Sequence, residues 1–283
     1  TIFLFSDNLK KMLDFSCYCD AHFHLVQCNE YRCSVPDLKL PDEYFACACA
    51  HYVDEFLLQE KACRQLAGRE NLHIARSFGM HPQEPLVENA DFLERLLKEG
   101  RIDAIGEAGF DLFTQAFKAD LARQKEAWRI QLELAAAYQK PLVVHCRKGI
   151  DYIFADIKRL KAAPAVLFHS FFGGMREAAS LLAKDLNAYF SFGKQILNGN
   201  KKTISCVCAL PLNRLLLETD APFQTLKGES FTAPDEIMRI YRAAYALRPD
   251  GITEAQFSAA LKANFLNLYK IKTDTARCPA DNS

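Results

Sequence analysis

The chain is expected to fold as one (β/α)₈ TIM barrel of the α/β class. Three observations predict this. Eight short apolar or β-branched runs alternate with longer segments of helical period, and strands separated by such crossovers pair in parallel. Two of the runs, Pro141-Leu-Val-Val144 and Leu215-Leu-Leu217, are continuously apolar, as in strands buried on both faces. The length of 283 residues suits a closed barrel, which commonly takes about 250 residues.

The candidate strands are Cys17–His22, Tyr44–His51, Leu72–Met80, Asp103–Phe110, Pro141–Cys146, Ala165–Ser170, Ala188–Gly193 and Arg214–Asp220. Helical period is clearest over Asp54–Gly68, Phe92–Glu99, Asp120–Tyr138, Tyr152–Lys161 and Met175–Lys184, and weaker over Asn198–Cys208. Two more helices, Asp235–Leu247 and Glu254–Tyr269, follow the last strand. Arg32–Asp42 contains proline and stands as a loop where the first crossover helix belongs, and Gln224–Pro234 is a loop after the eighth strand. No linker, repeat or low-complexity tract divides the chain, so residues 12–272 are expected to form one domain, with 273–283 a tail.

Half of the residues are hydrophobic and a quarter are charged, an ordinary globular composition. Lysine plus arginine balances aspartate plus glutamate at 35 each. That neutrality argues against holding long nucleic acid by field alone, but leaves room for a local basic patch. No apolar stretch reaches the roughly 18 residues of a membrane span. The apolar start, Thr1–Phe5, lacks a basic flank and is followed by Asp7, Lys10 and Lys11, which makes a poor signal peptide. Eleven cysteines include three Cys-x-Cys pairs, Cys17/Cys19, Cys47/Cys49 and Cys206/Cys208. With no export signal these are read as reduced, core-packing thiols of a cytoplasmic protein rather than a thiolate metal site.

The first strand ends in Asp20-Ala-His-Phe-His24. Alternation in an extended chain points His22 and His24 the same way, so both imidazoles can meet one ion. The same alternation turns Cys17 and Cys19 to the other side, toward the helices. Alone, His-x-His says little. Its weight comes from Glu107, His145, His169 and Asp220, each at the C-terminal end of a different candidate strand, which is where barrel active sites are built. Histidine and carboxylate together suit Zn²⁺ or Mn²⁺ better than an all-oxygen Mg²⁺ cage.

Six segments then resemble the TatD family of metal-dependent deoxyribonucleases, within the amidohydrolase-like barrels. They are Asp20-Ala-His-Phe-His-Leu25, Gly79-Met-His-Pro82, Gly106-Glu-Ala-Gly-Phe-Asp111, Pro141-Leu-Val-Val-His-Cys-Arg147, His169-Ser-Phe-Phe-Gly-Gly174 and Leu217-Glu-Thr-Asp-Ala-Pro222. The resemblance runs from about Phe15 to Tyr269. It implies two divalent ions, Mg²⁺, Mn²⁺ or Zn²⁺, with His22, His24 and Asp220 on one, His145 and His169 on the other, and Glu107 bridging. It also implies phosphodiester hydrolysis of DNA by a metal-activated water, acting from a strand end, with Asp220 as ligand and proton acceptor. Arg147 would meet a substrate phosphate, and His81 would contact substrate or cap a turn. The rival readings are hydrolysis of a small amide, ester or lactone on the same barrel, and metal binding without catalysis.

Three positions depart from the family pattern. Val26 stands where Asp or Asn is usual, and Gly149 where Ala or Thr is usual. The loop Gly228-Glu-Ser-Phe-Thr-Ala-Pro234 lacks the usual basic pair, which weakens the expectation of DNA more than that of metal. Because relatives start only a few residues before the first strand, at the distance of Met12, residues 1–11 are expected to be an extraneous, poorly ordered extension.

Overall fold

A computed structural model describes residues 15–31 and 43–271. The expectations for residues 1–11, 32–42 and 273–283 lie outside that range. Eight parallel strands form one sheet in sequential order: β1 Tyr18–Phe23, β2 Tyr44–Ala50, β3 Leu72–Phe78, β4 Ala104–Asp111, β5 Leu142–Arg147, β6 Val166–Phe168, β7 Ala188–Phe192 and β8 Leu215–Leu217. The expected barrel is therefore present, with every strand where the apolar runs placed it. Among the described residues no helix is long and apolar enough to cross a membrane.

The helices are α1 Leu25–Glu30, α2 Val53–Leu66, α3 Ala90–Lys98, α4 Gln115–Ala119, α5 Leu121–Tyr138, α6 Ile150–Ala155, α7 Ile157–Leu160, α8 Met175–Leu182, α9 Lys201–Ala209, α10 Ile237–Ala246 and α11 Glu254–Tyr269. α1 and α4 escape periodicity because one or two turns carry too few apolar positions to show a stripe. The single helix expected over Tyr152–Lys161 is two helices, broken at Asp156. Its carboxylate accepts a hydrogen bond from Trp128 Nε1 at 3.1 Å. That contact holds an intrinsically poor helix former out of helical geometry.

Two apolar layers result. The outer one packs strand residues such as Tyr18, Val144 and Phe190 against helix residues such as Leu96, Trp128 and Ile240. The inner one is built from alternate strand positions, including Cys19, Cys47, Cys49, Val143, Leu167 and Leu216, with Phe265, Leu268 and Tyr269 of α11 as its only helical members among the described residues. It fills the barrel and its lower end. Cys17 and Cys19 belong to this inner layer, which corrects the expectation that they face the helices. The cause is a register shift in β1 between Asp20 and Phe23. One irregular step resets the two-residue alternation, so thiols before it and histidines after it share the barrel interior.

No continuous ladder joins β8 to β1. Near the top, Asp220 N donates to His22 O at 3.0 Å and His24 N to Ala221 O at 2.7 Å. Lower down, side chains satisfy the β1 edge: Cys19 N donates to Tyr241 Oη at 2.8 Å, Tyr269 Oη donates to Ala21 O at 2.7 Å, and Ser258 Oγ donates to Cys17 O at 2.6 Å. Buried backbone groups need such partners. The seam therefore fixes where the β1 and β8 ends, which carry His22, His24 and Asp220, stand relative to each other.

Candidate metal centre

Six of the chain's seven histidines converge on the carboxylate of Glu107, which projects from β4 and is 2% exposed. On one side of it, Oε1 lies 3.3 Å from His22 Nε2, 3.6 Å from His24 Nε2 and 3.1 Å from His51 Nε2. On the other, Oε2 lies 3.4 Å from His81 Nε2, 3.2 Å from His145 Nδ1 and 2.5 Å from His169 Nε2. Asp220 Oδ1 completes the first side, 3.5 Å from His22 Nε2 and 3.3 Å from His24 Nε2. Only His73 is elsewhere, stacked on Phe45 at a centroid distance of 4.4 Å.

Backbone and packing hold these groups in place. β6 and β8 are only three residues long, so His169 and Asp220 sit just past them, where the chain turns inward. Asp220 adopts φ 52°, a left-handed conformation that costs a non-glycine residue energy and recurs at functional sites. Gly109 has φ 137°, and a Cβ there would lie 2.1 Å from the His145 carbonyl oxygen. Glycine thus lets β4 and β5 approach closely enough for Glu107 and His145 to meet. At Gly149 a Cβ would lie 2.4 Å from Phe110 Cβ, which accounts for the departure from alanine or threonine at that position.

Second contacts select which ring nitrogen faces inward. His145 Nε2 is 3.1 Å from Asp111 Oδ2, so in the neutral ring the proton sits there and Nδ1 is the inward lone pair. Cys49 Sγ is 3.0 Å from His22 Nδ1 and accepts from Ser77 Oγ at 2.9 Å. A proton shared on that side leaves His22 Nε2 as a lone pair. His81 differs. Its Nδ1 accepts from Gln83 N at 3.2 Å, so its proton sits on Nε2 and donates toward Glu107. His81 thus caps a turn, as one of its two expected roles has it, and faces Glu107 at the same time.

The electrostatics follow. Burial pushes the Glu107 carboxyl up, but His169, His22 and His81 outweigh it and hold it well below the usual range. Burial, with His169 nearby, lowers His22 to about 4, leaving it neutral with a lone pair to offer. His145 is raised to about 9, because Asp111 and Glu107 outweigh burial. Asp220 is held at about 2: burial opposes this, but His24 and His22 prevail, so it is ionised.

Among the described residues, four groups of three donor atoms lie within 4.8 Å of one another: His22/His24/Asp220, His22/Glu107/His169, His24/His51/Glu107 and His81/Glu107/His145. His22 Nε2 faces His24 Nε2 at 3.2 Å, and His145 Nδ1 faces His169 Nε2 at 3.2 Å. Paired imidazole nitrogens aimed at carboxylates fit a divalent cation, and the chemistry of the donor set passes that test.

The structure thus brings all six expected ligands together, with His81 and Arg147 on the same cavity of about 670 Å³. Arg147 stacks its guanidinium over Phe113 at 4.1 Å and Phe172 at 5.5 Å, and lies 3.7 Å from Asp111. His51 and Asp111 join the site without having been singled out from the sequence. His51 was legible as the last residue of the expected second strand, and Asp111 as the last of the quoted Gly106–Asp111 segment. In the loop lacking the family's basic pair, Glu229 accepts from the buried Lys194 at 2.6 Å, so its charge anchors the loop.

A family model described as TatD related DNase matches residues 19–270. The uncharacterized metal-dependent hydrolase YjjV of Escherichia coli (strain K12) is 28% identical over 225 residues, 75% of this chain and 83% of that protein. The 3'-5' ssDNA/RNA exonuclease TatD of Erwinia amylovora is 29% identical over 219 residues, 74% of this chain and 84% of that protein. Among solved structures, the Escherichia coli YjjV TatD homolog matches with a TM-score of 0.75 at 23% identity, covering 90% of this chain and 98% of that one. A TatD family hydrolase from Entamoeba histolytica gives 0.71 at 17% identity over 89% and 97%, and both likenesses concern the fold. With a family match running from the first strand to the last helix, the chain belongs to the TatD related DNase family.

Proposed function

We propose that this protein is a divalent-metal-dependent nuclease that hydrolyses phosphodiester bonds of DNA, working from strand ends. The observation that carries this is the ring of six imidazoles and Asp220 around one buried glutamate at the C-terminal mouth of the barrel. The reading assigns His22, His24 and Asp220 to one ion, His145 and His169 to a second, and Glu107 to both. Bound there, divalent ions supply Lewis-acid stabilisation of a phosphodiester and lower the pKa of water from 15.7 toward about 7.

The chain's own groups do the rest. Asp220 is ionised and faces the cavity, so it can accept a proton from water, a role typically worth about 10²–10⁴ in rate. Its Oδ2 accepts from Gln224 Nε2 at 2.9 Å, which fixes the carboxylate plane. Arg147, stacked on Phe113 and Phe172 and 3.7 Å from Asp111, lines the cavity, where its planar fork suits a phosphate oxygen pair. Phe172 and Phe223 line the cavity and are 44% and 47% exposed. Exposed rings of this kind stack unpaired bases at about 1–3 kcal/mol each, which favours a single strand. The reading includes a cytoplasmic location, supported by the free thiols of all nine described cysteines.

The test is a panel of end-labelled single-stranded DNA, single-stranded RNA and duplex DNA, with a simple phosphodiester, lactones and dipeptides, assayed with Mg²⁺, Mn²⁺ or Zn²⁺ and with EDTA. Stepwise shortening of the single strands, lost in EDTA, is expected. Turnover of a lactone or dipeptide with intact oligonucleotides would replace the reading with small-molecule hydrolysis. Full metal loading with no turnover on any member would leave a metal-binding protein.

A further inference from the structure

We propose that His51 is a further ligand of the metal centre, a third imidazole on the Oε1 side of Glu107, and that it biases the centre toward Zn²⁺-class ions over Mg²⁺. The inference rests on the metal-centre reading above and goes beyond its six-ligand set. His51 follows β2 directly, and its Nε2 stands 3.1 Å from Glu107 Oε1, nearer than His22 or His24. With His24 and Glu107 it forms one of the donor groups compact enough for an ion.

The position is built. His51 N donates to Glu55 Oε2 at 2.7 Å, and the same oxygen accepts from Tyr52 N at 3.1 Å, which locks the β2–α2 corner. The ring is wedged between His24 and His81 at centroid distances of 5.4 and 4.7 Å, which aims Nε2 at the carboxylate. His81 occupies the matching place on Oε2, yet its Nδ1 is taken by a backbone N–H, so its inward nitrogen is a donor. His51 Nδ1 is buried and meets no hydrogen-bond partner. No contact at Nδ1 fixes the ring's tautomer, so a cation beside Glu107 Oε1 can take Nε2 as a lone pair with the proton moved to Nδ1.

His22, His24 and His51 together present three nitrogens beside Glu107 Oε1. Imidazole suits Zn²⁺, Co²⁺ and Ni²⁺, whereas Mg²⁺ prefers oxygen and retains its waters. A third imidazole on one side therefore acts on the choice of ion more than on the charge of the site.

The experiment compares the chelator-stripped chain with His51→Ala and His51→Asn. Zn²⁺ affinity is read by competition with a chromophoric chelator, Mg²⁺ by calorimetry, and the visible bands of the Co²⁺ form by absorption. Loss of a ligand is expected to weaken Zn²⁺ by at least the ~10–100-fold seen for lost outer contacts, to leave Mg²⁺ within about 3-fold, and to shift the Co²⁺ bands. Unchanged Zn²⁺ affinity and Co²⁺ bands, or equal losses of Zn²⁺ and Mg²⁺ in variants that melt normally, would overturn the proposal. Should the variants misfold, acylation of the unmodified chain with diethylpyrocarbonate decides. Zn²⁺ but not Mg²⁺ is expected to protect His51 in peptide mass spectra, and labelling indifferent to Zn²⁺ counts against ligation. A chain that binds no ion at all removes the metal-centre reading itself, whereas a chain that binds ions regardless of His51 removes only this inference.

Discussion

Glu107→Ala is expected to lower kcat on a single-stranded oligonucleotide by at least about 10³-fold, a barrier increase of about 4 kcal/mol. Glu107 meets both halves of the centre with its two oxygens, through Oε1 to His22, His24 and His51 and through Oε2 to His81, His145 and His169. Removing it deletes the shared negative charge and leaves six imidazoles facing a void. Glu107→Gln keeps the shape while losing the charge, and is expected to fall nearly as far. The check is single-turnover cleavage alongside a thermal melt. Activity within about 10-fold of the parent in a folded Glu107→Gln chain would show that the carboxylate's charge is not what the chemistry uses.

Asp20→Ala is expected to be the most damaging change to the frame that holds the centre. Asp20 is fully buried and touches no cavity, yet it binds the β8 end to β1. Its carboxylate accepts from Thr219 N at 2.9 Å, from Thr219 Oγ1 at 2.5 Å and from Tyr44 Oη at 3.0 Å. Each buried donor left unpaired costs about 1–3 kcal/mol, so losing the partner of three costs at least about 3 kcal/mol and lowers the melting temperature by at least about 6 °C. Burial raises the Asp20 pKa to about 7, against the hydrogen bonds from Thr219 and Tyr44. A folded value above the unfolded one means that this group's contribution falls as pH rises from about 4 to about 7. The cost of the substitution in metal-free protein is therefore expected to be larger at pH 5 than at pH 8. Denaturant melts at the two pH values measure it, and a chain melting within about 2 °C of the parent would show that the seam does not depend on Asp20.

Most of the frame and the convergence of the six candidate ligands were legible because barrel strands announce themselves twice. The runs around Val143 and Leu216 are apolar on both faces, and ligand-capable residues recur at their C-terminal ends. Strict alternation was the weak assumption. It placed Cys17 and Cys19 opposite His22, and the register shift after Asp20 puts all of them inside the barrel. No residue type in Asp20-Ala-His signals such a shift, since it is set by pairing to β2 and by the seam with β8. His51 was within reach of the rule that found His145 and His169, but matched no quoted motif. The pairing of Glu229 with Lys194 links residues 35 apart in sequence, and neither position predicts the other without the fold between them. The absence of the basic pair from the loop after Asp220 reads as a loss of substrate contacts in sequence. In the structure the glutamate there neutralises a buried lysine.

Metal content measures most directly whether Glu107 organises a metal centre. The chain is to be stripped with chelator, reloaded with Mn²⁺ or Zn²⁺, desalted, and analysed by inductively coupled plasma mass spectrometry beside Glu107→Ala. About two ions per chain in the parent and far fewer in the variant are expected of a binuclear centre bridged by Glu107. A parent that retains no ion, or a variant that retains as many as the parent, would contradict a metal centre organised on this glutamate.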